Sequence, residues 1–194
     1  MNWSQTDPNL LSTITDGSLL GKLLDTTKGQ STITQAQLPE WIRIPTFLSS
    51  METAGILQPL PDHQWLISGT AKVQLAMHAI RLGQPDRQIL DSLTWQEFEE
   101  FVSTIFDRHN FSVHLRYRFK VNRRYEIDVI AARKPILFCI DCKHYGIRLG
   151  KSSALRNAVN KQIERTQELA THFAANQTKL NCLGWKKVML LPLL

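Results

Sequence analysis

Asp128 and the triplet Asp141-Cys142-Lys143 are the residues of this chain whose types and spacing best suit chemistry. Each acid interrupts an apolar run: Asp128 stands between Ile127 and Val129, and Asp141 follows Ile136-Leu-Phe-Cys-Ile140. Asp141 and Lys143 are two apart, so in an extended strand they share a face while Cys142 points away. A salt bridge at a sheet edge would account for that pair alone. Asp128 adds a second acid on the neighbouring strand, and two such acids repel unless a cation lies between them. Hard carboxylate oxygens suit Mg²⁺, with Mn²⁺ as a substitute. Such an ion polarises a phosphate and acidifies a water, and a nearby lysine orients that water or steadies the developing charge. The chemistry open to these three residues is phosphodiester hydrolysis.

The flanking sequence supplies elements to position them. Residues 125–131 and 136–143 read as strands joined by the turn Ala132-Arg-Lys-Pro135, and residues 111–121 alternate as a half-buried strand. The three form an antiparallel meander. In the first of them Val113, Leu115, Tyr117, Phe119 and Val121 take one face, and His114, Arg116, Arg118 and Lys120 take the other. That basic stripe is either a solvated strand face or a phosphate-contacting surface. Ahead of the meander, Thr94 and Glu97 form a capping box, followed by Phe98, Phe101, Val102, Ile105 and Phe106 as the apolar stripe of a helix. Glu100 falls opposite the stripe. Glu99 falls on its border, as a boundary charge or as a side chain looking into the fold. After the meander a helix is predicted from about Ser152 to Ala175, with Leu155, Ala158, Val159, Leu169, Ala170 and Phe173 on one face. Gln162 lies near the centre of that face, where a bare buried amide would be costly. Lys151, Arg156, Lys161 and Arg165 add positive charge nearby, and Lys186 to Leu191 can return as a fourth, parallel strand.

The arrangement resembles the PD-(D/E)xK nuclease superfamily, with the motif standing as Ile127-Asp128, then Asp141-Cys142-Lys143. It is most similar to Mrr-type restriction endonucleases and archaeal Holliday-junction resolvases. The resemblance covers residues 91–194 and implies an αβββαβ restriction-endonuclease-like core with a central mixed sheet. It also implies Asp128 and Asp141 as ligands of Mg²⁺ or Mn²⁺ and Lys143 as the catalytic lysine. Glu99 then matches the acid of the preceding helix, and Gln162 the glutamine of the following helix that points to the site. Ile127 stands where the family name has proline, and Asp141 where glutamate is commoner. The implied activity is Mg²⁺-dependent DNA endonuclease; the alternative is a nuclease-fold DNA-binding or regulatory protein without turnover.

Charge divides unevenly. Residues 1–90 hold six Lys/Arg against seven Asp/Glu, and residues 91–194 hold seventeen against ten. The excess positive charge of the second part suits a polyanion, with His114, Arg116, Arg118, Lys120, Lys151 and Arg156 as candidate nucleic-acid contacts. The first part reads as three short helices, near 16–25, 35–41 and 46–54, and a hairpin across Pro61-Asp62-His63, a pattern similar to a winged helix-turn-helix. Its third helix, Phe47-Leu-Ser-Ser-Met-Glu-Thr53, holds no Lys or Arg, which favours protein contact or homodimerisation over DNA reading. A helix at 71–82 follows, and Gly83-Gln-Pro-Asp-Arg87 marks a boundary between domains 1–86 and 87–194. Cys139, Cys142 and Cys182 are odd in number and two lie in one strand, so buried thiols are expected. No apolar run reaches membrane-spanning length and the start lacks signal-peptide features, which places the protein in the cytoplasm. The abrupt end at Pro192-Leu-Leu194 reads as a shortened form of a longer protein.

Overall fold

The computed structural model describes residues 16–40, 42–43, 45–143, 152–175, 185 and 187–194. By contacts the chain separates into two units, Met1–Phe98 and Glu99–Leu194, with the division inside one helix.

In the first unit, Asp16 caps helix α1 (Gly17–Thr26) by accepting the Ser18 amide, and Leu20, Leu23 and Leu24 are buried along it. Strand β1 (Thr32–Thr34) follows, then helix α2 (Pro45–Thr53), strands β2 (Gln58–Leu60) and β3 (Gln64–Leu66), and helices α3 (Gly69–Arg81) and α4 (Asp86–Asp91). β1 and β2 both pair antiparallel with β3, giving the order β1-β3-β2. Asp62 and His63 both adopt left-handed φ at the β2–β3 turn, the combination that matches hairpin twist. Gly55, with φ of 70°, follows α2 as expected of a left-handed cap.

One local expectation is corrected, and one short strand is added. Residues 35–40 form turns in place of a helix. Gln37 Oε1 accepts from the Thr34 amide and hydroxyl, and Arg43 donates to the carbonyls of Ala36 and Leu38, so side chains take backbone groups a helix would pair. Thr32-Ile-Thr34 is a strand because β3 offers it a partner and Ile33 is buried there.

Helix α5 (Trp95–Arg108) begins with the expected capping box: the Thr94 amide donates to Glu97 Oε2 at 2.7 Å, and the Glu97 amide to Thr94 Oγ1 at 3.4 Å. Glu97 also meets Lys72 Nζ at 3.0 Å, and that buried ammonium donates to the Thr27 and Gln30 carbonyls at 2.7 Å each. The buried face of α5 is rotated from the expected stripe: Glu97, Glu99, Phe101, Ser103 and Thr104 are buried, whereas Ile105 is 36% exposed. The two glutamates can turn inward because each meets a cation.

In the second unit, strands β4 (Ser112–Lys120), β5 (Arg124–Arg133) and β6 (Ile136–Ile140) form the expected antiparallel meander. Helix α6 (Ser152–Ala175) precedes strand β7 (Met189–Leu193), which pairs parallel with β6. The result is an α/β unit on a mixed sheet of order β4-β5-β6-β7. Phe106 of α5 packs on Phe138 of β6, while Leu169 of α6 joins Leu137 and Cys139, the neighbours of Phe138, in a cluster on the opposite face. The helices therefore cover the sheet from both sides. Asn110, at φ 62°, ends α5.

Strict alternation fails at one place in this sheet. Ile127 and Ile130 belong to the same core cluster although they are three apart, so the sidedness of β5 reverses between them. On the facing strand, Leu115 pairs with Val129 and Tyr117 with Ile127, which sets Arg116 opposite Asp128, and Arg116 has φ of 50°. The single apolar face expected of β4 is thereby split. Tyr117 and Phe119 enter the core, while Leu115 is 38% exposed.

Replacing Lys72 by alanine should lower the unfolding free energy by about 3 kcal/mol or more, because Glu97 would remain buried without its cation. A urea titration of the variant measures this. An unchanged midpoint would show that the pair contributes no stability.

Candidate active site

Asp141 follows the last residue of β6, and its side chain is only 2% exposed. A carboxylate so far from water needs counter-charge within the protein. Two cations provide it at one oxygen: Lys143 Nζ donates to Asp141 Oδ1 at 2.8 Å and Arg165 Nη1 donates to the same atom at 2.9 Å. The backbone is fixed as well, since the Asp141 amide donates to the Leu193 carbonyl of β7 at 3.0 Å.

Asp128 stands on β5, half-buried, and its Oδ2 accepts the Cys142 amide at 2.8 Å. This bond links the two acid-bearing segments directly. Desolvation is the largest influence on the Asp128 carboxyl, and repulsion from Asp141 and Glu99 adds to it. Against the Cys142 amide and Lys143, these push its pKa from 3.8 up to about 6. Asp141 and Glu99 thus both act on Asp128.

Glu99 is 4% exposed and looks into the fold. Its Oε2 accepts from Arg116 Nε at 2.6 Å, a bond that raises the already high pKa of the guanidinium. The left-handed backbone of Arg116, opposite Asp128, costs on the order of 1–2 kcal/mol for a non-glycine residue.

Gln162 is buried on α6, donating from Nε2 to the Cys139 carbonyl at 2.7 Å. Its Oε1 is buried with no hydrogen-bond partner among the described residues. Arg165 lies three residues on, on the same side of the helix.

Among the described residues, no three His, Cys, Asp or Glu side chains converge as a ready metal cage. The donor chemistry still fits a hard divalent cation. Asp128 and Asp141 are carboxylates on segments joined by the Cys142 amide, and the charge of Asp141 raises the Asp128 pKa. Without a metal, Lys143 and Arg165 neutralise Asp141, and a proton neutralises Asp128 up to about pH 6.

Asp128, Asp141, Lys143 and Glu99 are thus brought together by contact or by charge, with Gln162 of α6 bonded to the strand that leads to Asp141. The predicted basic stripe is not continuous. His114 stands opposite Ile130 of the core cluster, with its Nε2 buried and unpartnered among the described residues. Arg116 turns to Glu99, Arg118 is exposed and bonded to Glu126 at 2.6 Å, and Lys120 is exposed opposite Arg124 near the hairpin end. Arg156 is on an exposed part of α6, and Lys151 and Cys182 lie outside the described residues. Cys139 and Cys142 are free, buried thiols pushed by burial to about 12, which leaves them inert near neutrality. Arg165 is the site residue that sequence reasoning valued only as background charge. Its helical spacing from Gln162 is the signal that could have singled it out.

Residues 90–178 match the restriction endonuclease family model Mrr_cat. This match is consistent with a restriction-endonuclease-like domain of the PD-(D/E)xK superfamily. The domain holds all five residues of the site, since the match takes in α5, the meander and the whole of α6. An uncharacterized protein of Archaeoglobus fulgidus is 38% identical over 79 residues, which span 40% of this chain and 61% of that relative. Protein VC1899 from Vibrio cholerae, a solved structure, aligns with 81% of this chain and 40% of its own, at 14% identity and a TM-score of 0.36. No helix among the described residues is long and apolar enough to cross a membrane.

The Asp128 pKa gives the nuclease-like domain a pH signature. The unfolded carboxyl titrates near 3.8 and the folded one at about 6, so the folded protein binds more protons between those values. Stability from this group is present at low pH and is lost as pH rises through that window. In metal-free protein, Asp128→Asn should therefore melt at a higher temperature than wild type above pH 6, with the difference vanishing below about pH 4. Thermal melts across pH check this, and a constant difference at all pH values would assign the effect to another cause.

Proposed function

We propose that the protein is a Mg²⁺-dependent DNA endonuclease that hydrolyses phosphodiester bonds, of restriction or structure-specific type. The observation that carries this reading is the joining of Asp128 to the Asp141-Cys142-Lys143 segment within the matched domain. In this reading Asp128 and Asp141 hold the cation, with Glu99 as an outer acid; Mn²⁺ would serve in place of Mg²⁺. A divalent ion bound there supplies charge neutralisation at the phosphate and a more acidic water. Lys143 is 25% exposed beside the innermost acid, where its ammonium faces charge developing on the phosphate. Gln162 offers a free carbonyl oxygen with which to orient a water.

DNA contact falls to exposed cations on the same sheet. Arg118 and Lys120, together with Arg123 and Arg124 of the adjoining turn and strand, make the β4–β5 hairpin a basic projection. Arg156 extends positive charge along α6, and Lys151 is assigned the same role on charge alone. Residues 1–86 are read as a winged-helix-like module, supported by the order α1-β1-α2-β2-β3 and the sheet β1-β3-β2. Because α2 has no Lys or Arg, we assign this module to protein contact, with homodimerisation serving to cut both strands. The working compartment is the cytoplasm, at the nucleoid.

The alternative reading is a nuclease-fold DNA-binding or regulatory protein without turnover. Plasmid nicking separates the two readings. Wild type with Mg²⁺ or Mn²⁺ should nick or linearise supercoiled DNA, and Asp141→Ala and Lys143→Ala should each lose about a hundredfold or more in rate. Wild-type protein that neither cuts any DNA form nor binds a divalent cation would establish the alternative. In parallel, Lys120→Ala should reduce the slope of log affinity against log salt by about one. An unchanged slope would remove the hairpin from the DNA interface.

A further inference from the structure

Arg165 has no assigned part in the reaction, although its guanidinium is 2.9 Å from the most buried acid of the site. Three facts bear on what it does there. The Asp141 oxygen it occupies is also bonded by Lys143, so two positive charges crowd one atom that a metal would need. The Arg165 side chain is 30% exposed while Asp141 is 2% exposed, so the guanidinium stands at the mouth of the site and the carboxylate at its floor. Arg165 also comes from α6, a different element from the acids, so it can leave Asp141 without disturbing β6 or the Asp141–Leu193 backbone bond. Lys143 is less free, being two residues along the same chain.

We propose that Arg165 changes partners during the reaction. It neutralises Asp141 in the metal-free protein, and when Asp141 turns to ligate a divalent cation the guanidinium moves to non-bridging oxygens of the phosphate being cut. A planar guanidinium with five donors matches two phosphate oxygens at once, which an ammonium cannot do. The exchange also keeps the site near charge balance. The basic side chain covers the acid when it is alone, and covers the added phosphate once metal and DNA have entered. Arg165 is then a substrate-contacting residue as well as a guard of the empty site.

This inference rests on the nuclease reading, and the test separates the two. Mn²⁺ is titrated calorimetrically into metal-free wild type, Arg165→Ala and Arg165→Lys, and affinity for a short duplex is measured with Ca²⁺ present. Arg165→Ala should bind Mn²⁺ severalfold more tightly, since a competing cation is gone. It should also bind the duplex about tenfold more weakly and cut it more slowly. Arg165→Lys keeps the charge but not the fork, so its Mn²⁺ affinity should stay near wild type while duplex affinity falls. A merely structural arginine would not tighten metal binding when removed. Unchanged or weaker Mn²⁺ binding by a folded Arg165→Ala overturns the exchange and leaves the nuclease reading standing. Should that variant fail to fold, wild-type duplex affinity in Arg165→Lys overturns it instead. Wild type that neither binds Mn²⁺ nor cuts DNA brings down both.

Discussion

A carboxylate withdrawn from water must be answered by charge, and much of the second unit is arranged around the answer given to Asp141. Lys143 reaches it from two residues along the chain and Arg165 from the crossover helix, while the backbone amide of Asp141 is held by β7. The position of α6 on its face of the sheet therefore has an electrostatic anchor as well as the packing of Leu169 against Leu137 and Cys139. Gln162 adds a third tie, from α6 to the β6 backbone. Burial makes each tie stronger than it would be in solvent, and makes the loss of either partner costly.

The same logic recurs at the other acids with different cations. Glu97 is answered by Lys72 within the first unit, and Glu99, two residues later, by Arg116 within the second. Asp128 has no full counter-charge and responds by holding its proton to about pH 6. Of these acids, it is the one whose charge state is left for something outside the chain to decide.

Local signals explain what could be foreseen. The capping box at Thr94 and Glu97, the hairpin at Asp62-His63 and the span of α6 follow from neighbouring residues, and each appears as its sequence implies. The motif acids were legible because each breaks an apolar strand. Pairings across the fold were not legible. Arg165 meets Asp141 across 24 positions, and Arg116 meets Glu99 across 17. Strand alternation assumes an unbroken pleat, so it could not show that the backbone inverts at Arg116 and draws that side chain out of the basic stripe. β1, three residues long, owes its existence to β3 and carries no signal of its own. Helical periodicity likewise missed the rotation of α5, because it ranks glutamate as an outward residue whatever cation waits inside.

The bond from the Asp141 amide to the Leu193 carbonyl also has a meaning in time. A ribosome delivers the acids, the lysine and the arginine well before it delivers β7. Until that strand has emerged and docked beside β6, the floor of the site lacks its backbone support. Nascent chains that stop short of β7 would hold these residues without their alignment. Alignment of the site would then wait for β7 to dock.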